Sequence, residues 1–233
     1  VDIFLDDVQK IVLQTEKVEL NDLKAFKAQV RGVPLASANI HHWDVNYWLT
    51  RYKEQHFGIN QNNLRHYFPT QASVNWAMGL ASTLYGLEFR KANVQTWHDD
   101  VQYYEVLDKK ENKIIGGIYL DLFPRQDKYG HAASFPVQGA STLENRLPIS
   151  VLVANFNRDG LDISELETLL HEFGHVLHGV MSKTRFVEQS GTSVERDFVE
   201  APSQMFEEWA YDYHALSLLP QYASGNCPQI TKP

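Results

Sequence analysis

The segment HEFGH, residues 171–175, places two histidines four positions apart with a glutamate beside the first. In an α-helix, side chains at i and i+4 lie one turn apart on one face, so His171 and His175 can direct imidazole nitrogens at the same ion. Neutral imidazole is a suitable ligand for Zn²⁺ near neutral pH. Glu172 points about 100° away from His171 and can accept a proton from a metal-activated water. The pattern therefore predicts a hydrolytic zinc site in which Glu172 is the general base.

The helix that carries this motif is apolar on nearly every side, with Leu166, Leu169, Leu170, Phe173, Val176, Leu177 and Val180. An all-round apolar helix is usually buried. Imidazoles and a carboxylate buried there without partners would cost roughly several kcal/mol, and a bound metal removes that cost. The alternative is an incidental pair of histidines on an exposed helix, which this composition disfavours. His178, seven residues after His171, is expected to be packed or hydrogen-bonded rather than a ligand.

A catalytic zinc site needs a third protein ligand and one open position, and two later glutamates compete for that role. Glu195 lies in the polar segment TSVERD, which reads as a loop or a helix cap. Glu200 lies in DFVEAPSQM, between apolar side chains. A carboxylate buried among apolar neighbours needs a partner more than a solvated one does, which favours Glu200 as the ligand.

Two further carboxylates are candidates for hydrogen-bonding to the ligands on the side away from the metal and so fixing their orientation. A metal-bound histidine usually donates its other N–H to a carboxylate or a carbonyl. Glu167 lies one turn before His171, and Asp197 lies three residues before Glu200. The alternative readings, a solvated Glu167 and a helix-capping Asp197, carry similar weight.

The elements that must position these residues read as helices, then a small sheet, then two more helices. Apolar residues recur at a spacing of three to four through the first third of the chain. A β-hairpin is predicted over VQTWHDDVQYYEVLD and IIGGIYLDLF, with further strands in HAASFPVQ and PISVLVANF. Helices are predicted at about 163–182 and 198–219. This order predicts an α+β fold that is mostly helical, with a helical segment at 1–95 and a catalytic core at 96–233 in one compact unit.

Composition excludes several other classes of protein. The net charge is −8 with no basic run, so nucleic acid is not an expected partner. The single cysteine, Cys227, excludes an intrachain disulfide and a cysteine-rich metal knuckle. No apolar stretch approaches the ~20 residues of a membrane span, and the first residues do not resemble a signal peptide. Because the chain begins with Val and ends in a loop-like segment, we expect it to be part of a longer protein.

The block from residue 171 to residue 209, HEFGHVLHGVMSKTRFVEQSGTSVERDFVEAPSQMFEEW, resembles the thimet oligopeptidase and oligopeptidase A family of zinc metallopeptidases. The upstream segment YLDLFPRQDKYGHAASF is similar to the same family, and the resemblance extends over almost the whole chain. It implies one Zn²⁺ held by His171, His175 and Glu200 in a zincin-like core, with Glu172 as general base. It also implies short peptides as substrates, which are cleaved at internal bonds inside a deep channel. His131 in GHAASF is a candidate substrate contact, with a structural hydrogen bond as the alternative.

Members of that family are much longer than this chain, and the difference bears on whether this chain alone can turn over a substrate. The resemblance implies a missing N-terminal helical part and a missing C-terminal region whose Tyr and His residues bind substrate. The loss of an oxyanion donor typically costs about 10²–10³ in rate. The alternative function is therefore a zinc- or peptide-binding fragment without turnover. The expected compartment is the cytoplasm, or a mitochondrion or other organelle if a targeting segment precedes Val1.

Overall fold

The structure, a computed structural model, describes residues 1–58, 60–225 and 227–230. Contacts between residues group the chain into two compact units, Val1–Asn60 and Gln61–Pro233. The division read from the sequence, a helical segment at 1–95 and a catalytic core at 96–233 within one compact unit, stays a prediction. The structural boundary falls elsewhere because the helix at residues 70–85 belongs to the hydrophobic core of the second unit.

The first unit consists of two long helices. Helix α1 spans Asp2–Arg31 and helix α2 spans Val45–Phe57, with a short 3₁₀ turn at Leu35–Ser37 between them. Each helix ends at a glycine in the left-handed region, Gly32 and Gly58, where a side chain would be strained. The small core of this unit contains Leu23, Phe26 and Trp48.

The second unit carries the remaining elements. Its helices are α3 (Gln61–Leu64), α4 (Thr70–Tyr85), α5 (Ile163–Val180), α6 (Ala201–Glu207) and α7 (Tyr213–Ser217). Its strands are β1 (Leu87–Ala92), β2 (Gln102–Asp108), β3 (Lys113–Asp121), β4 (Ala133–Gln138) and β5 (Ile149–Val153). Further 3₁₀ turns lie at Arg65–Tyr67, Val187–Gln189, Glu208–Ala210 and Leu219–Tyr222. The predicted α+β class, mostly helical with a small sheet, is confirmed.

The five strands form one mixed sheet in the order β1-β2-β3-β5-β4. Strands β1, β2 and β3 are antiparallel neighbours, β3 pairs in parallel with β5, and β5 pairs antiparallel with β4. The predicted hairpin is the β2–β3 pair, and the strand β1 was not predicted. Because β5 inserts between β3 and β4, the strand β4 becomes an edge of the sheet.

The core of the second unit lies between α4, α5 and one face of the sheet. The predicted apolar residues of α5 are buried there, together with Trp76 of α4, Ile118 of β3 and Leu152 of β5. Trp76 also donates from Nε1 to the carbonyl of Ala215 at 2.8 Å, which ties α4 to α7. Helix α5 is thus held in the interior of the unit, as its composition predicts.

The first turn of α5 is fixed by a capping box and an arginine. Asp162 accepts from the Glu165 backbone N–H at 2.9 Å, and Glu165 accepts from the Asp162 backbone N–H at 2.9 Å. Arg65 donates to Asp162 at 2.9 Å, to the Gly160 carbonyl at 2.7 Å and to Glu165. This cluster sets where α5 begins.

The predicted single helix at 198–219 is wrong, because the segment divides into two short helices and two 3₁₀ turns. Pro202 occupies the first turn of α6, which places the start of that helix after Glu200. Asp212 caps a new helix, α7, by accepting from the Ala215 N–H at 2.7 Å. Among the described residues, no helix has the length and apolar character that crossing a membrane would require.

Candidate metal centre

Helices α5 and α6 bring together the three residues predicted as ligands. The Nε2 atoms of His171 and His175 lie 3.4 Å and 3.0 Å from the same oxygen, Oε2 of Glu200. One nitrogen or oxygen atom from each of the three residues lies within 4.8 Å of the others. The three donor atoms therefore converge on one point, as ligands of a single ion must.

A glycine inside the HEFGH motif permits this convergence. A Cβ added at Gly174 would lie 2.7 Å from Ser203 Cα and 2.9 Å from the Pro202 carbonyl oxygen. Any side chain at this position would push α6 away from α5, and Glu200 immediately precedes α6. The close contact between the two helices thus determines where Glu200 lies.

Glu200 differs from its sequence-based description in one respect. Its side chain is 49% exposed, and not buried among apolar residues as expected. Its neighbours Phe198 and Met205 are exposed as well. The donor atoms of His171, His175 and Glu200 form the convergent group. The competing candidate, Glu195, is also exposed and lies outside it. Geometry, rather than burial, distinguishes the two glutamates.

Sequence reasoning missed Glu207, which lies behind His171. Its Oε1 atom is within hydrogen-bond distance of His171 Nδ1. A proton on Nδ1, donated to this carboxylate, leaves Nε2 free to bind a metal. Glu207 lies seven residues after Glu200, which indicates the same face of a helix, but its contact with His171 depends on how α5 and α6 pack.

The two carboxylates proposed from sequence for this orienting position lie elsewhere. Glu167 lines the cleft beside His171. Asp197 is exposed in the turn before α6. Within the described part of the chain, the carboxylate at the second nitrogen of His171 is that of Glu207.

His175 is the more buried of the two histidines, with a side chain 11% exposed. Burial lowers its pKa below the usual range for histidine, although the nearby Glu200 carboxylate acts in the opposite direction. The ring is therefore neutral near pH 7, the form that binds metals. Its Nδ1 atom is buried without a hydrogen-bond partner among the described residues.

Glu172 is buried on the side of α5 that faces the edge strand β4. Burial raises the pKa of this carboxyl group, while His171 and a hydrogen bond from the Ser134 backbone N–H lower it. The net direction is upward, which suits a group that must first accept and then release a proton near neutral pH.

A cleft of about 350 Å³ opens at these residues. Its walls come from α5, from the loop before β4 and from α6, and they comprise His131, Ala132, Glu167, Thr168, His171, Glu172 and Glu207. His131 is exposed and thus faces the same space as His171 and Glu172. Its role as a substrate contact stays a prediction.

The chemistry of the donor set fits a zinc ion. Two imidazole nitrogens and one carboxylate oxygen form the ligand set of catalytic zinc sites that keep an open position. Such ions are held through neutral histidines, and the burial of His175 favours the neutral ring. The buried Glu172 stands beside the convergent group without being part of it.

Comparison with known proteins places the chain in a family. The sequence profile of "Peptidase family M3" matches residues 1–229. The chain is 30% identical to "Probable thimet oligopeptidase" of Arabidopsis thaliana, over 99% of this chain and 33% of that protein. It is 33% identical to "Mitochondrial intermediate peptidase, mitochondrial" of the same plant, over 95% of this chain and 33% of that protein. It is 33% identical to "Oligopeptidase A" of Escherichia coli, over 93% of this chain and 33% of that protein.

These matches confirm the resemblance read from residues 171–209. They also show that the chain spans about one third of the length of the curated relatives it matches. The matched profile covers the metal centre and both of the compact units. The chain belongs to peptidase family M3.

Proposed function

We propose that this chain carries the zinc centre of an endopeptidase that hydrolyses internal bonds of short oligopeptides. One observation carries the proposal: the Nε2 atoms of His171 and His175 and the Oε2 atom of Glu200 converge beside the buried Glu172. The proposed ligands of one Zn²⁺ ion are these three residues. Membership of a peptidase family supports the reaction class.

The proposed mechanism assigns a proton-transfer role to Glu172. Zinc, when bound, supplies Lewis acidity that polarises the scissile carbonyl group and acidifies water. The Glu172 carboxylate accepts the proton of the attacking water and then delivers it to the leaving amine. His171 keeps its orientation through Glu207, and His131 contacts the peptide in the cleft.

The substrate class rests on two supports. His131, Thr168 and the otherwise buried Glu172 line one cleft of about 350 Å³, and a peptide bound there would lie beside the proposed base. Two of the relatives are named as oligopeptidases. A helix bearing both histidines, a following glutamate and an edge strand beside the base correspond to a zincin-like core, which is part of the proposal.

A second candidate function is zinc or peptide binding without turnover. The observation that favours it is length, since the chain covers 33% of each relative compared above. Residues that position substrate from other parts of such proteins would then be lacking. For the compartment we propose the cytoplasm, with an organelle as the alternative because one relative is named as mitochondrial.

The test measures bound zinc and peptide hydrolysis on the same samples of the 233-residue chain. We expect one zinc per chain in the wild type and in Glu172→Gln, with cleavage of a quenched fluorescent peptide abolished in the variant. Glu188→Gln removes an exposed carboxylate outside the cleft and is the matched control.

Each outcome decides one part of the proposal. A wild-type chain that binds no zinc would overturn the metal centre, and cleavage by Glu172→Gln at the wild-type rate would overturn the assignment of the base. Stoichiometric zinc without hydrolysis by the wild type would establish the second candidate function for this chain.

A further inference from the structure

Ser203 lies in the contact between α5 and α6, next to Gly174. It is completely buried, with 0% of its surface exposed. Its hydroxyl oxygen lies 2.9 Å from Glu200 Oε2 and 2.9 Å from the Glu200 backbone carbonyl oxygen. A hydroxyl group has one proton to donate, so it serves one of these acceptors at a time.

The carbonyl contact alone would be ordinary for a serine in a helix, because such hydroxyls often bond to the preceding turn. The contact with Oε2 is different, since this oxygen is the one that faces both imidazoles. Among the described residues, Ser203 is the hydrogen-bond donor to Glu200 Oε2, whereas the two histidine Nε2 atoms lie 3.4 Å and 3.0 Å from that oxygen. Ser203 is therefore the side chain that holds this carboxylate from the protein side.

The backbone of Ser203 is itself unable to move much. Its Cα lies against Gly174, at a distance where not even a methyl group would fit between the helices. The Glu200 side chain, by contrast, is half exposed and has several rotatable bonds, whose ordering costs conformational entropy. A rigid donor beside a mobile acceptor is the arrangement that selects one rotamer of the acceptor.

We propose that Ser203 is a positioning residue for the metal ligand Glu200, which it holds with Oε2 towards His171 and His175. The inference rests on the proposed zinc centre. It adds that the affinity for metal depends on a hydroxyl group that touches neither the ion nor the substrate. Hydrogen bonds to ligating groups typically change metal affinity by about 10–100-fold.

The test is a titration of the metal-free 233-residue chain with Zn²⁺ alone, in competition with a chromophoric chelator. We expect Ser203→Ala to weaken binding by about 10–100-fold. Ser73→Ala is the matched control, because Ser73 is also 0% exposed and its hydroxyl donates to a helical carbonyl, that of Pro69, at 3.1 Å. The control should bind zinc as the wild type does.

A double-mutant cycle distinguishes positioning from packing. In the Glu200→Ala background the hydroxyl has no carboxylate to hold, so adding Ser203→Ala should change zinc affinity by less than about twofold. The absorption spectrum of bound Co²⁺ gives a second readout, and it should differ between the wild type and Ser203→Ala. If Ser203→Ala does not fold, Ser203→Gly replaces it, since it also removes the hydroxyl donor and adds no bulk to the contact.

Two results would overturn the inference: wild-type affinity in Ser203→Ala, or an equal loss of affinity in the presence and absence of the Glu200 carboxylate. Neither result touches the proposed metal centre, which is overturned by a wild-type chain that does not bind zinc.

Discussion

Glu207 determines which nitrogen of His171 faces the convergent group. With Oε1 of Glu207 at Nδ1, the proton of the neutral ring resides on that side, and Nε2 presents a lone pair. The same contact fixes the plane of the ring. A histidine without this partner would divide its time between two tautomers and several orientations.

The first prediction at this scale concerns that contact. Glu207→Ala should lower the affinity for Zn²⁺ by about 10–100-fold, because His171 loses the acceptor that orients it. The measurement is competitive zinc titration of the metal-free chain. Glu208→Ala removes the adjacent, exposed carboxylate and should leave the affinity unchanged. Equal effects of the two substitutions would mean that general negative charge, and not the contact with Nδ1, is responsible.

His178 makes the stability of the metal-free protein depend on pH. Burial lowers the pKa of this ring below its usual range, so the unfolded chain binds a proton before the folded chain does. As pH falls below the ordinary value of about 6.5, the free energy of unfolding therefore decreases. His178→Gln should make that decrease between pH 7 and pH 5 shallower, as measured by urea denaturation.

His66→Gln, which removes an exposed histidine, is the control for this measurement. The buried His175 contributes in the same direction, so part of the slope will remain in His178→Gln. An unchanged slope would show that the folded protein admits the proton at His178 without cost.

At the residue scale, the sequence predicted which three residues converge. It did not predict the exposure of Glu200 or the contact that orients His171. The spacing of His171 and His175 in a helix is a local property, and a sequence shows it directly. The choice of Glu200 followed from supposed burial, whereas its side chain is half exposed. The contact of His171 with Glu207 depends on how α5 and α6 pack, which spacing within one helix does not reveal.

At the scale of elements, the start of α5 is held by side chains far away in the sequence. Arg65 donates to both carboxylates of the capping box and to the carbonyl of Gly160. A Cβ at Gly160 would lie 2.2 Å from the Arg65 carbonyl oxygen, so a side chain there would separate the two segments. The helix that bears the histidines is thus anchored about two turns before them.

A substitution in the capping box tests this anchor. Asp162→Ala should lower the free energy of unfolding by about 1 kcal/mol, the usual cost of removing a helix N-cap. The measurement is chemical denaturation of the metal-free protein, with Asp159→Ala as a control at a nearby exposed aspartate. A loss no larger than that of the control would mean that packing alone fixes the first turn.

Several elements were predictable because their signals are local. The apolar periodicity of α4 and α5 and the polar turn of the β2–β3 hairpin each lie within one short window. Strand β1 was missed because it follows α4 directly at Gly86, and its alternating residues are few. The division of 198–219 was missed because Pro202 and Asp212 were not weighed as helix starts.

At the scale of the whole molecule, helix α1 presents an apolar face to solvent. In this helix of 30 residues only Leu23 and Phe26 are buried, whereas Ile3, Phe4 and Ile11 are more than half exposed. Contiguous exposed apolar surface on a protein favours association with other surfaces.

The last prediction follows from that surface. The 233-residue chain should self-associate as its concentration rises, and replacing Ile3, Phe4 and Ile11 with Gln should shift it towards the monomer in sedimentation velocity. The control replaces Asp6, Glu16 and Lys17, polar residues of the same helix, with Gln. A wild-type chain that stays monomeric at all concentrations would contradict the prediction. The sequence did not reveal this face, because its periodicity is equally that of a helix packed against a core.

The shortness of α6 has a further consequence. Seven residues are too few for a helix to persist on its own, so α6 is maintained by what it contacts. With Glu200 immediately before it and Glu207 at its end, an ion shared with α5 would act as a crosslink between two stretches of backbone. Removal of the ion by a chelator would then also loosen the attachment of α6 to α5. Residues 201–207 would become susceptible to proteases, and added zinc would protect them.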